Sequence, residues 1–181
     1  MMSGVGTVFR APLIPSLNLG NASTETTFLN SRGTAAVLPL QTDNQFTNRR
    51  FVLNAAGRVA TTTNLTFQIN IYLGTTGTTA DTLIFTTNGL TVNAKKSNWH
   101  LDLNMFWDSD AQIINGSGFG QIDNQQIGAG GLTNVLKLDP NLHGSSNSFQ
   151  GVFYKFSVTG LFSGSSTGNG AFLDILEVTL N

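Results

Sequence analysis

Between Leu65 and Leu73 the chain alternates without a break: Leu65, Phe67, Ile69, Ile71 and Leu73 are apolar, with Thr66, Gln68, Asn70 and Tyr72 between them. Successive side chains of an extended strand point to opposite sides of a sheet. The period of two therefore predicts a half-buried strand with its odd-numbered residues inward. The same period recurs from Asn98 to Asp108. There Trp99, Leu101, Leu103, Met105 and Trp107 alternate with Asn98, His100, Asp102, Asn104 and Asp108, and Phe106 alone breaks the rule. A third instance places Val152, Tyr154, Phe156 and Val158 on one face. Shorter strand-like runs are TLIFTT, LTVNAKK, Leu132 to Leu138, and the closing AFLDILEVTLN, which is expected to be pinned inside a sheet.

Glycine punctuates the rest. NRRFVLNAAGRVATTTN reads as a strand, a turn at Gly57 and a second strand. AQIINGSGFGQID reads as two short β segments about a glycine-rich loop, and QQIGAGGLTN as a further loop. TTGTTADT, NGL, DPNLHGSSNS and GSSTGNG are turn signals. No eleven-residue window prefers the helical period. Roughly eight to ten strands separated by polar turns describe an all-β, antiparallel sandwich or barrel.

Residues 1–46 differ. Pro12, Pro15 and Pro39 interrupt them and no period persists, yet Val8-Phe9, Leu13-Ile14 and Ala35 to Leu40 are apolar. Exposed apolar surface costs about 25 cal/mol per Å², so these clusters must dock on something. Proline lacks a backbone donor, which suits an extended arm better than a central strand. The chain therefore divides into an extended N-terminal arm, residues 1–46, and a β-sandwich domain, residues 47–181. The arm is expected to dock chiefly on another subunit, through Phe9, Arg10, Leu13, Ile14 and Arg32.

Composition narrows the role. Of 181 residues only 10% are charged, against about 25% in ordinary domains, and the polarity comes from Thr, Asn, Ser and Gln. Formal net charge is −1, so no whole-chain field gathers nucleic acid, and direct nucleic-acid binding is not expected. All five arginines lie at or before Arg58, opposed only by Glu25 and Asp43, while the remainder carries four lysines and eight carboxylates. Without cysteine there is no disulfide framework and no thiolate zinc site. The first residues lack a basic segment followed by a long apolar run, and there is no stretch of about 18 consecutive apolar residues. A soluble, non-exported chain is expected, with no membrane partner. The glycosylation-type triplets at Asn21, Asn64 and Asn115 arise by chance in a chain this rich in Asn, Ser and Thr.

Candidate chemistry is sparse. His100 and Asp102 share a strand face about 7 Å apart, but a metal centre needs three or four ligands. The other histidine, His143, stands in a Gly/Ser/Asn turn. The stretch is read as the solvated or partner-facing side of a strand. Asp108, Asp110 and Asn115 hint at a loop-type cation site, but an apolar pair follows and no distal Glu completes a calcium loop. The runs NGSGFG, GAGG and GSSTGNG lack the Lys-Ser/Thr ending of a phosphate loop and read as turns. No serine sits in a nucleophile elbow, and two histidines leave little choice of base. Arg49-Arg50 and Lys95-Lys96 are isolated pairs, read as strand-end charges. No catalytic, metal or cofactor-binding residues are assigned, and no enzyme is expected. Tyr72 and Phe106, if outward, are suited to stacking on sugars or packing on a partner.

A cysteine-free, Asn/Thr/Gly-rich chain with a proline-bearing apolar arm, a central NWHLDLNMFW strand and a closing pair GVFYKFSVTGLFS and GAFLDILEVTL resembles the jelly-roll structural proteins of tailed bacteriophages. In size it is most similar to the capsid decoration, or cement, proteins. The resemblance covers most of residues 47–181 as general texture and transfers no individual site residue. It implies a jelly-roll sandwich that trimerises on the outer surface of a shell, contacts the major capsid protein and stiffens the capsid by bridging capsomers. It also implies a virion location after passage through the host cytoplasm. A tail- or fibre-associated carbohydrate-binding sandwich is the alternative.

Overall fold

The computed structural model describes residues 7–10, 17–18, 23–28, 37–41, 50–74, 76–92, 96–108, 113–123, 125–131, 136–137 and 153–180. These form strands β1 (Thr7–Arg10), β2 (Leu17–Asn18), β3 (Thr26–Thr27), β4 (Val37–Gln41), β5 (Arg50–Ala60), β6 (Leu65–Gly74) and β7 (Thr82–Thr86). There follow β8 (Leu90–Val92), β9 (Lys96–Asp108), β10 (Ile113–Ile122), β11 (Gln125–Gly131), β12 (Leu136–Lys137), β13 (Phe153–Phe162) and β14 (Gly170–Leu180). No helix occurs among the described residues.

One sheet has eight strands in the order β1-β14-β5-β9-β10-β11, with β2 also on β14 and β12 also on β10. The other has six in the order β3-β13-β6-β7, with β4 also on β13 and β8 also on β6. The chain crosses from β5 in the first sheet to β6 in the second and returns from β13 to β14. Since β5 lies beside β14 and β6 beside β13, the two crossings are nested. Nested antiparallel pairs wound over two sheets are jelly-roll wiring, and the fold is an all-β antiparallel sandwich of that type.

The core between the sheets follows the period of two. Phe67, Ile69, Ile71 and Leu73 from β6 are fully buried, with Leu65 packed at their margin. Trp99, Leu101, Leu103 and Met105 of β9 face them from the opposite sheet, and Phe156 and Val158 extend the layer along β13. The TTGTTADT turn is closed by Asp81, whose carboxylate accepts from the backbone of Thr76 and Gly77 at 3.1 and 2.6 Å.

Three glycine-based expectations are corrected. β5 runs unbroken through Gly57, which stands opposite Trp99 on one side and Leu173 on the other. A Cβ there would lie 1.8 Å from the Phe172 carbonyl oxygen and 2.8 Å from the Trp99 ring. The bare backbone lets the indole cross β5 and donate from Nε1 to that carbonyl at 3.1 Å. Likewise NGSGFGQI is a single strand, β10, with register partners Leu103 for Gly118 and Leu101 for Gly120 on the core side. A Cβ on Gly118 would stand 2.3 Å from Phe85 of the other sheet and 2.4 Å from Leu103. These glycines admit neighbours rather than turn the chain. QQIGAG, too, belongs to a strand, β11, paired along β10.

The expectation of a separate arm also changes. β1 and β2 pair with β14, and β3 and β4 pair with β13, all within this chain. Phe28 is fully buried, donates its amide to the Val158 carbonyl at 3.2 Å, and sets its ring 6.0 Å from that of Trp99. Proline keeps these segments short without keeping them off the sheets. The described segments complete this chain's own sandwich.

Glu25 ties the β3 segment to the six-stranded sheet. Its carboxylate accepts from Asn70 Nδ2 at 2.7 Å, from Tyr72 Oη at 2.9 Å and from Thr159 Oγ1, across the outer face of the six-stranded sheet. Asn70 and Tyr72, expected on a solvated face, are buried under it. Burial first, then the Glu25 hydrogen bond and its negative charge, push the Tyr72 hydroxyl up to about 12 from the usual 10.0.

This packing has four measurable outcomes. Gly57→Ala should cost about 1–3 kcal/mol or more in denaturant unfolding, because the new methyl collides with backbone. Phe28→Ala should cost about 3–5 kcal/mol, and removing residues 1–40 should lower Tm for the same reason. The Tyr72 hydroxyl has its folded-state pKa raised, so its stabilisation is full below pH 10 and is lost as pH rises through about 12. Between those values the denaturation midpoint of the wild type should fall faster than that of Tyr72→Phe; parallel curves would contradict the Glu25 clasp.

Candidate functional site

The outer face of the eight-stranded sheet can be read from the register as rows crossing β14, β5, β9 and β10. One row is Ile175, Ala56, His100 and Gln121; the next is Glu177, Asn54, Asp102 and Phe119; the next is Thr179, Val52, Asn104 and Ser117. Arg50, Phe106 and Asn115 make a further row at one end, and Phe172, Arg58 and Asn98 one at the other. Partners directly opposite in an antiparallel pair share a face, so these side chains project together.

Three large apolar residues are exposed here: Phe106 at 42%, Phe119 at 38% and Ile175 at 46%. Phe106 was legible as the exception to the alternation. Phe119 was hidden because its strand reads as a glycine loop. Ile175 is outward because β14 shifts register between Leu173 and Ile175, leaving Asp174 as the extra residue of a bulge. Before the bulge odd residues face inward, as Ala171 and Leu173 do; after it even residues do, as Leu176 and Val178 show.

Between the apolar groups lie polar pairs. His100 Nε2 is 3.1 Å from Asp102 Oδ2. Arg50 donates to the Asn104 side-chain oxygen. Arg58 forks onto Asp174 with Nε and Nη2 each at 2.8 Å, and its guanidinium lies 5.2 Å from the centre of the Phe172 ring. The Asp174 hydrogen bond, then its charge, raise the Arg58 pKa above its usual value. Among the described residues no three His, Cys, Asp or Glu side chains gather as a metal site. Asp110 lies outside the described residues, and Asn115 belongs to β10 rather than to a loop.

Of the residues expected to dock a partner, Phe9 stands opposite Val178 and Arg10 opposite Glu177 in the β1–β14 register. Leu13, Ile14 and Arg32 lie outside the described residues. Of the two outer faces, the one on the six-stranded sheet is clasped by Glu25, whereas the one on the eight-stranded sheet carries the three large apolar residues that are exposed among the described residues. The latter is the candidate docking face.

No family model matches the chain, and no curated protein matches it. Among solved structures it is similar to lectin I-B4 from Griffonia simplicifolia in its metal-free form, with 10% identity, a TM-score of 0.35, and 97% of this chain and 99% of that one covered. It is similar to peanut lectin with a nine-residue peptide at 10% identity and a TM-score of 0.36, with 98% of each chain covered.

Proposed function

We propose that this chain is a non-catalytic structural protein of a bacteriophage virion, which binds the outer surface of the capsid on the major capsid protein and stabilises the shell as a homotrimer bridging capsomers. The observation that supports docking is the dispersal of Phe106, Phe119 and Ile175 over one sheet face, separated by amides and charged pairs rather than merged into one apolar patch. An interface of apolar points set in hydrogen-bonding groups is a wet one, suited to a chain that stays soluble before it assembles. Each of the three side chains would contribute about 1.5–3 kcal/mol if fully buried, ample against the losses of association when several copies act together.

A second reading has its own support. Phe106 and Phe119 flank Asn104 and Asp102 on a sheet face, and aromatic rings beside amides and carboxylates are the groups that hold neutral sugars. On that reading the chain is a tail- or fibre-associated carbohydrate-binding module.

The test compares wild type with the triple variant Phe106→Ser, Phe119→Ser, Ile175→Ser on shells stripped of the protein. Since all three residues are exposed, Tm should stay near wild type while affinity falls at least about a hundredfold, the worth of one or two anchors. Unchanged affinity would remove this face from the docking surface. Light scattering of the free protein tests the trimer, and copy number in purified virions separates the readings: hundreds for the shell, a few dozen or fewer for the tail.

A further inference from the structure

At the end of the same sheet a depression of about 570 Å³ is lined by Arg58, Val59, Ala60, Lys96, Ser97, Asn98 and Phe172. The register explains its origin. Ala60 pairs with Lys96 on β9 and with Gly170 on β14, so the row beyond Phe172, Arg58 and Asn98 has almost no side chain on two of its three strands. Phe172 and Arg58 wall one side and Lys96 stands at the other.

Among the described residues the lining contains two cations and no carboxylate, and Asp174 meets Arg58 from beside it. Arg58 is held in place by its fork onto Asp174 and by the Phe172 ring beneath it, and the fork uses Nε and Nη2. Its remaining nitrogen, Nη1, stays available for a second acceptor. Lys96 and Asn98 are exposed. Ser97 stands opposite Val59 and turns its side chain to the core, so its hydroxyl takes no part in the depression.

We propose that this depression binds a sugar unit bearing a carboxylate, of the uronic acid kind. The carboxylate is taken by Lys96 and the free edge of Arg58, and charge-assisted bonds of this sort fix its orientation. The Asn98 amide offers both a donor and an acceptor to neighbouring hydroxyls. Ala60 and Phe172 supply the apolar surface for the carbon-bound hydrogens of the ring. Size separates this ligand from an acidic side chain of a protein partner: the cavity lies within the range of about 300–1,000 Å³ typical of small-molecule sites and would be left mostly empty by one carboxylate. The inference stands apart from capsid docking, since it concerns a different part of the face and a different class of ligand.

The experiment is a titration of the full chain, labelled for amide NMR, with glucuronate, glucose, acetate and inorganic phosphate. Glucuronate should shift the amides of Ala60, Ser97, Asn98 and Phe172 and saturate at about millimolar concentration, while glucose binds at least about tenfold more weakly. Lys96→Gln, an exposed change expected to leave Tm unaltered, should weaken glucuronate about tenfold and leave glucose unaffected. Arg58→Gln should do the same, with Lys96→Gln as the control for the lost Asp174 pair. Equal binding of glucose would overturn the carboxylate assignment. Equal binding of acetate or phosphate at the same amides would overturn the sugar. Shifts confined to other residues, or none up to about 10 mM, would overturn the site itself.

Discussion

The geometry of the eight-stranded sheet depends on one contact, the Trp99 indole lying across Gly57 to reach the carbonyl of Phe172. It ties β9, β5 and β14 together through a side chain as well as through their ladders, and it requires that nothing project from Gly57. The bulge at Asp174 follows one residue after the next position. By inserting a single residue it reverses the facing of the rest of β14, sends Ile175 outward, and places Asp174 where it meets Arg58. The exposure of Ile175 and the Arg58–Asp174 pair are both consequences of this local irregularity.

The two outer faces of the sandwich have opposite fates for a chemical reason. On the six-stranded sheet a carboxylate with three donors closes over Asn70, Tyr72 and Thr159, so these three are satisfied internally. Burying a carboxylate is unfavourable unless it is hydrogen-bonded, and the alternating Asn, Tyr and Thr supply the donors. On the eight-stranded sheet the polar groups pair among themselves in twos, His100 with Asp102 and Arg50 with Asn104, and leave the aromatic rings between them accessible. A face of this kind is suited to contact with something outside the chain.

Low charge and abundant amides acquire a physical meaning in this setting. With 10% charged residues and a net charge of −1, the chain has no whole-chain field to draw a polyanion, and Lys96 beside the Asp174-paired Arg58 is a local feature of one depression. On either proposed reading, partner choice would then rest on shape and short-range hydrogen bonding. The docking reading and the sugar-binding reading share that requirement and differ in which groups of the face they use.

The sequence by itself determined the class of fold and most of its core. Strict alternation at 65–73 and 98–106 is enough to assign inward and outward positions, because the strand period is two and one face must be dry. It also marked Phe106 as out of place. The tertiary structure alone decided what the glycines do. Gly57, Gly118 and Gly116 read as turns in a one-dimensional pattern, whereas their role is to leave room for Trp99, Phe85 and the neighbouring strand. It alone showed that Phe28 enters the core and that Glu25 clasps a face, since a hydrogen-bonded carboxylate is recognisable only once its donors are seen around it. Ile175 and Phe119 stayed hidden for the same reason: a bulge and a close approach of backbones are set by packing between strands, and period along a single strand carries no record of them.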